Sequence, residues 1–157
     1  MTQRVNLLEK GQKAFKAFYG FNAYLAKSSL DETLINLLSL RVSQINGCAF
    51  CLDMHAKDLR AAGESEQRIY MMNAWRESPV YSARERAALA WAEAVTLITE
   101  GHVPDAVYAE TKGQFSEQEL IDLTLAVIAI NSYNRMNIAF RMPAGDYVPG
   151  QFKVEAN

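Results

Sequence analysis

Between Leu120 and Ile130 the chain reads LIDLTLAVIAI, a stretch so continuously apolar that most of its sides have to be buried. Ser116 and Glu119 stand before it at the spacing of a capping box, and SYNRMNIAF carries the pattern on toward Phe140, so a long central helix is expected here. Such a helix needs others around it, and the rest of the sequence supplies them. Leu7, Leu8, Ala14, Phe15, Phe18, Phe21 and Leu25 recur at helical spacing with lysines between them, which predicts an amphipathic first helix. Ser29 with Glu32 predicts the cap of a second, from about Leu30 to Ile45, which Asn46 and Gly47 end. A third starts close to Cys48 and runs through His55 and Leu59 until Gly63 stops it. A short helix from Ser65 to about Trp75 turns Ile69, Met72 and Trp75 inward. Ser82 with Glu85 opens the next, through Leu89 and Ile98 to Gly101, and Pro104 starts a short one that ends near Gly113. The residues after Pro143 read as an irregular tail.

The expectation is therefore an all-α fold of about six to seven helices in a single domain over residues 1–157, with the late helix buried. Eight glycines and four prolines are too few for the frequent turns of a sandwich or barrel. A net charge of −2 without runs of like charge gives no footprint for nucleic acid. The N-terminal residues lack the apolar run of a secretory signal, and nowhere do about 18 consecutive apolar residues occur to span a bilayer. No membrane association and a cytoplasmic location are expected.

Chemistry concentrates in one place. The only two cysteines, Cys48 and Cys51, are three residues apart, a spacing that reads as redox or metal chemistry in a cytosolic chain. On a helix, Cys48, Cys51 and His55 share one stripe, and His55 lies one turn beyond Cys51. A thiol attacks only as thiolate, and a helix N-terminus or an adjacent imidazole lowers its pKa from about 8.5 to roughly 3.5 to 7.5. The two means point to different sulfurs: the helix terminus favours Cys48, the imidazole Cys51. Zinc would need a fourth ligand, from His102 or a carboxylate, and no second CxxC or HxxxH is present. Leu52 stands where haem attachment requires histidine. The remaining reading is two small buried core residues with a satisfied histidine.

The run LRVSQINGCAFCLDMH from Leu40 to His55, then Gly63, then YSARERAALAWAEAVT from Tyr81 to Thr96, resembles the carboxymuconolactone decarboxylase superfamily, in its alkylhydroperoxidase D-like branch. The late apolar helix with Asn134 and Arg135 fits the same pattern. The resemblance implies an all-helical homo-oligomer, a trimer or hexamer, that acts as a thiol-dependent peroxidase. It implies that Cys51 attacks the hydroperoxide, that Cys48 resolves the sulfenic acid to a disulfide and that His55 helps to deprotonate. A dithiol reductant, such as a lipoylated protein, resets the pair, and no cofactor or metal is called for. The superfamily's lyase reaction fits less well, since it has no need of paired thiols.

Two positions depart from the family pattern. Asn36 occupies the place of a relay glutamate twelve residues before the first cysteine, and Phe50 the place of a histidine between the cysteines. An amide hydrogen-bonds but does not titrate. Acid–base assistance is worth about 10² to 10⁴ in rate, so a slower peroxidase is expected, or a thiol-disulfide oxidoreductase with little peroxidase activity. Glu32, Tyr81 and Glu85 are candidate replacements, with capping the expected role for Glu85. Arg41 and Gln44, on the helix leading into the site, are expected in a surface or interface ion pair, and His102 as a solvated loop residue. Trp75, Trp91, Met71 and Met72 read as core or subunit contacts. Asn134 and Arg135, polar in an apolar helix, are expected to find partners in a neighbouring subunit or near the site, an interface being preferred.

Overall fold

The computed structural model describes residues 2–152. Among them are eight α-helices: α1 (Leu7–Lys10), α2 (Gln12–Leu25), α3 (Glu32–Asn46), α4 (Ala49–Ala61), α5 (Glu66–Met71), α6 (Ala83–Thr96), α7 (Asp105–Lys112) and α8 (Glu117–Phe140), with 3-10 turns at Met72–Ala74 and Ile98–Glu100. The fold is all-α. The capping boxes at Ser82/Glu85 and Ser116/Glu119 are formed, each serine accepting from the glutamate's backbone N–H while the carboxylate accepts from the serine's.

The expected first helix is two. Gly11 ends α1, and a Cβ there would stand 2.6 Å from the Leu7 carbonyl oxygen, so the chain turns where only glycine fits. The cap of α3 also differs: Asp31, not Ser29, accepts from the backbone N–H of Thr33 and Leu34. A carboxylate at that position meets the positive end of the helix dipole, and Leu30 just before it is buried in the core. Pro104 caps α7 rather than opening its first turn.

Helices α3, α6 and α8 pack on one another, with α4 laid on α3, α7 on α6 and α2 on α8. Helix α3 is apolar on two sides. Leu34, Leu38 and Val42 enter a core with both cysteines, Trp91, Leu123 and Val127, while Leu37 and Leu40 face a second core with Leu59, Met72, Trp75 and Leu89. Ala87, Ala88 and Ala92 of α6 and Ala126 and Ala129 of α8 line the first core. Small side chains at such contacts let helix axes come close. Burial of α8 is less complete than its composition suggests, since Ile121, Ile128 and Ile138 are exposed.

The segment after Pro143 is irregular, yet it is tied to α4. Lys57 Nζ donates to the carbonyls of Gly145 at 2.6 Å and Tyr147 at 3.0 Å, and the Gly145 N–H donates to Asp53 at 3.0 Å. The Tyr147 hydroxyl donates to the Asp58 carboxylate at 2.8 Å, and its ring packs edge-on to Phe50 and stacks on Phe152.

Candidate active site

Gly47 ends α3 in the left-handed conformation, φ 71°, and its N–H and that of Cys48 close the helix on the Gln44 and Ser43 carbonyls. The chain can then turn at once into α4, with Cys48 as the N-cap. The Cys48 sulfur accepts from the Cys51 backbone N–H at 3.4 Å, so it stands where a capping oxygen usually does. Behind this turn, Asn46 Nδ2 donates to Asn131 Oδ1 at 3.0 Å and Asn134 Oδ1 at 2.9 Å, and Asn134 Nδ2 donates to Ser43 Oγ at 3.1 Å. Asn134 is thus satisfied within the chain by α3 rather than held for an interface. Arg135 donates to Asn131 of its own helix.

Cys48 and Cys51 are joined as a disulfide with Cα atoms 5.4 Å apart. Both are sealed from solvent, Cys51 at 0% exposure and Cys48 at 1%. Phe50, between them in sequence, packs against the same core and carries Tyr147 and Phe152 on its other side. Clefts of about 200 and 350 Å³ open elsewhere, beside Thr96, Asn131 and Arg135 and beside Trp91, Tyr108 and Thr124.

His55 is buried one turn beyond Cys51 on α4. Its Nδ1 lies 3.0 Å from Asn36 Oδ1 of α3. An amide oxygen only accepts, so Nδ1 carries the proton and Nε2 is the lone-pair nitrogen. That Nε2 is buried without a hydrogen-bond partner among the described residues. Burial pushes the imidazole down to about 4, so the ring is neutral at pH 7. The relay position picked out in the sequence therefore does meet the histidine, but through a group that orients the ring and cannot take its proton.

A residue that the sequence did not single out reaches the redox pair. Asn137, buried on the last turns of α8, donates its side-chain N–H to Cys51 Sγ at 3.3 Å. The following turn is pinned: the N–H of Met142 donates to the Asn137 carbonyl at 2.9 Å, and Arg4 donates from its backbone to the Phe140 carbonyl and from its guanidinium to that of Ala139, both at 3.0 Å. Only the polar interruption of the apolar pattern in SYNRMNIAF hinted at a role.

The other candidates stand apart. Glu85 is a cap that also pairs with Arg68, and Tyr81 donates to the Arg68 carbonyl, with burial raising its hydroxyl to about 12. Glu32 is exposed in the first turn of α3. Arg41 pairs with Glu93 at 2.7 Å, partly buried rather than on the surface, and Trp75 donates to the same carboxylate at 2.8 Å. His102 is exposed at φ 58°. Among the described residues no three His, Cys, Asp or Glu side chains gather in a metal-holding group.

Residues 11–94 match the family model described as "Carboxymuconolactone decarboxylase family", and the chain belongs to that family. It is 44% identical over 139 residues to the uncharacterized protein YdfG of Bacillus subtilis, covering 88% of this chain and 95% of that one. A crystal structure of a protein of unknown function from Agrobacterium tumefaciens, for which a role in antioxidant defence as an AhpD has been suggested, superposes with a TM-score of 0.88 at 43% identity, over 93% of this chain and all of that one. Over a shorter stretch of 45 residues, 29% of this chain and 25% of the relative, identity to the alkyl hydroperoxide reductase AhpD of Bradyrhizobium diazoefficiens is 42%. The fold is thus that of the alkylhydroperoxidase D-like group, and this chain carries a CxxC pair joined as a disulfide within it.

Proposed function

We propose that this chain is a thiol-dependent peroxidase, with Cys51 as the attacking sulfur, Cys48 as the resolving one and His55 as the proton acceptor. The observation that carries the reading is the Cys48–Cys51 disulfide across the first turn of α4, in a chain of this family. In the reduced protein the Cys51 proton passes to the His55 Nε2 lone pair. The thiolate attacks one peroxide oxygen, the O–O bond breaks, and an alcohol leaves with the returned proton. Cys48 then attacks the Cys51 sulfenic acid, the S–S bond forms and water leaves. A dithiol, on the family resemblance a lipoylated protein, returns two electrons through a mixed disulfide. The chain is taken to work in the cytoplasm as a homo-oligomer, a trimer or hexamer, as the family resemblance implies.

One observation favours a second reading, a thiol-disulfide oxidoreductase that scarcely uses peroxide. His55 leans on Asn36, which cannot titrate, and its pKa of about 4 makes it a weak base. Stopped-flow measurement of hydroperoxide loss with excess dithiol separates the two. Peroxide consumption that Cys51→Ser abolishes is the expected result; rapid disulfide turnover with negligible peroxide loss would establish the oxidoreductase instead.

A further inference from the structure

We infer that Asn137 is a catalytic residue whose side-chain amide stabilises the Cys51 thiolate, and that it sets Cys51 apart from Cys48. The inference rests on the reading of Cys51 as the attacking sulfur. Among the described residues each sulfur has one N–H donor, of different kinds. Cys48 Sγ accepts from a backbone N–H of its own helix turn, while Cys51 Sγ accepts from Asn137, 86 residues away on α8. Both contacts are buried, and a donor in such a place gains most when its acceptor carries charge. A disulfide sulfur or a neutral thiol accepts weakly; a thiolate accepts strongly. The hydrogen bond therefore tightens as Cys51 ionises, and it lowers the energy of the ion relative to the protonated form.

The neighbourhood gives this donor particular weight. A thiolate beside a histidine is ordinarily held by a standing imidazolium, but burial keeps the resting His55 ring neutral, so it offers a proton acceptor and becomes positive only when it has taken the Cys51 proton. Cys51 also lies within the first turn of α4, where the helix terminus acts on both sulfurs. Besides His55, which serves as the proton acceptor, the group that reaches Cys51 and not Cys48 is the Asn137 amide, the N–H donor on the Cys51 sulfur. The end of α8 is built to hold that amide still, with Arg141 in the left-handed conformation at φ 55°, Met142 closing onto the Asn137 carbonyl, and Arg4 capping the last carbonyls. The Arg4 guanidinium also offsets the negative end of the α8 dipole, which would otherwise oppose an anion at Cys51.

The test reads protonation rather than turnover. Thiolate absorbance is titrated in Cys48→Ser, which leaves Cys51, and in Cys51→Ser, which leaves Cys48, each with and without Asn137→Leu, a change of similar volume. Loss of the donor is expected to weaken Cys51 ionisation about tenfold, a rise of about one pKa unit, and to leave Cys48 nearly unmoved. An equal shift at both sulfurs, or none at Cys51, overturns the inference. Should Asn137→Leu fail to fold, the unmutated side chains decide. In isotope-labelled Cys48→Ser, the Asn137 side-chain amide resonances must move with the Cys51 titration, and resonances that stay fixed overturn the assignment. A protein that ignores peroxide yet shows the selective shift would remove the peroxidase reading and leave Asn137 in place.

Discussion

At the scale of the residue, His55 is the group whose ionisation most depends on the fold. Its ordinary pKa of about 6.5 falls to about 4 because the ring is buried, so between those values the unfolded chain binds a proton that the folded one refuses. Stability from this residue is complete above about pH 6.5 and declines as the pH falls toward 4, by about 3 kcal/mol at most. Urea unfolding at pH 7.5 and pH 5 should show that decline in the parent and a flatter profile in His55→Gln. An equal slope in both would place the proton uptake elsewhere. Glu93 sits outside this window: burial works to raise its carboxyl, but hydrogen bonds from Trp75, Arg41 and Arg76 hold it below the usual range, so its share is lost only at lower pH.

At the scale of the element, helix ends decide where the reactive groups stand, and those of α3 and α8 use the left-handed conformation. At Gly47 that conformation suits the residue, and no atom lies within 4 Å of an added Cβ, so Gly47→Ala is expected to cost about 1 kcal/mol from backbone strain alone. At Arg141 the same conformation is held by a residue with a Cβ, so Arg141→Gly is expected to stabilise the protein by about 1 kcal/mol. Thermal melts that rank the variants the other way would show that side-chain contacts outweigh the backbone at these turns. Helix ends are also where the sequence was most and least legible. Two serine–glutamate caps were formed as read because both partners lie within one turn, whereas Ser29 lost α3 to Asp31, since two capping residues competed and local spacing does not rank them. The break at Gly11 depends on the close approach of the Leu7 carbonyl, which a periodic pattern does not register.

At the scale of the whole molecule, distant segments converge on α4. Helix α3 brings Asn36 to His55, α8 brings Asn137 to Cys51, and the tail brings Tyr147 to Asp58 and Phe50. The CxxC and its histidine were legible because they are neighbours in the chain. Asn137 was not, because its partner is 86 residues away and an asparagine in an apolar run names no partner until the helices pack. The complete enclosure of the disulfide carries a kinetic consequence. No reagent collides with those sulfurs in the resting structure, so reduction has to wait for the protein to breathe. With rising dithiothreitol the observed reduction rate should climb and then reach a plateau set by that opening, and Tyr147→Ala, by loosening the tail from Asp58 and Phe50, should lift the ceiling. A rate that stays proportional to reagent up to high concentration would mean the door already stands open.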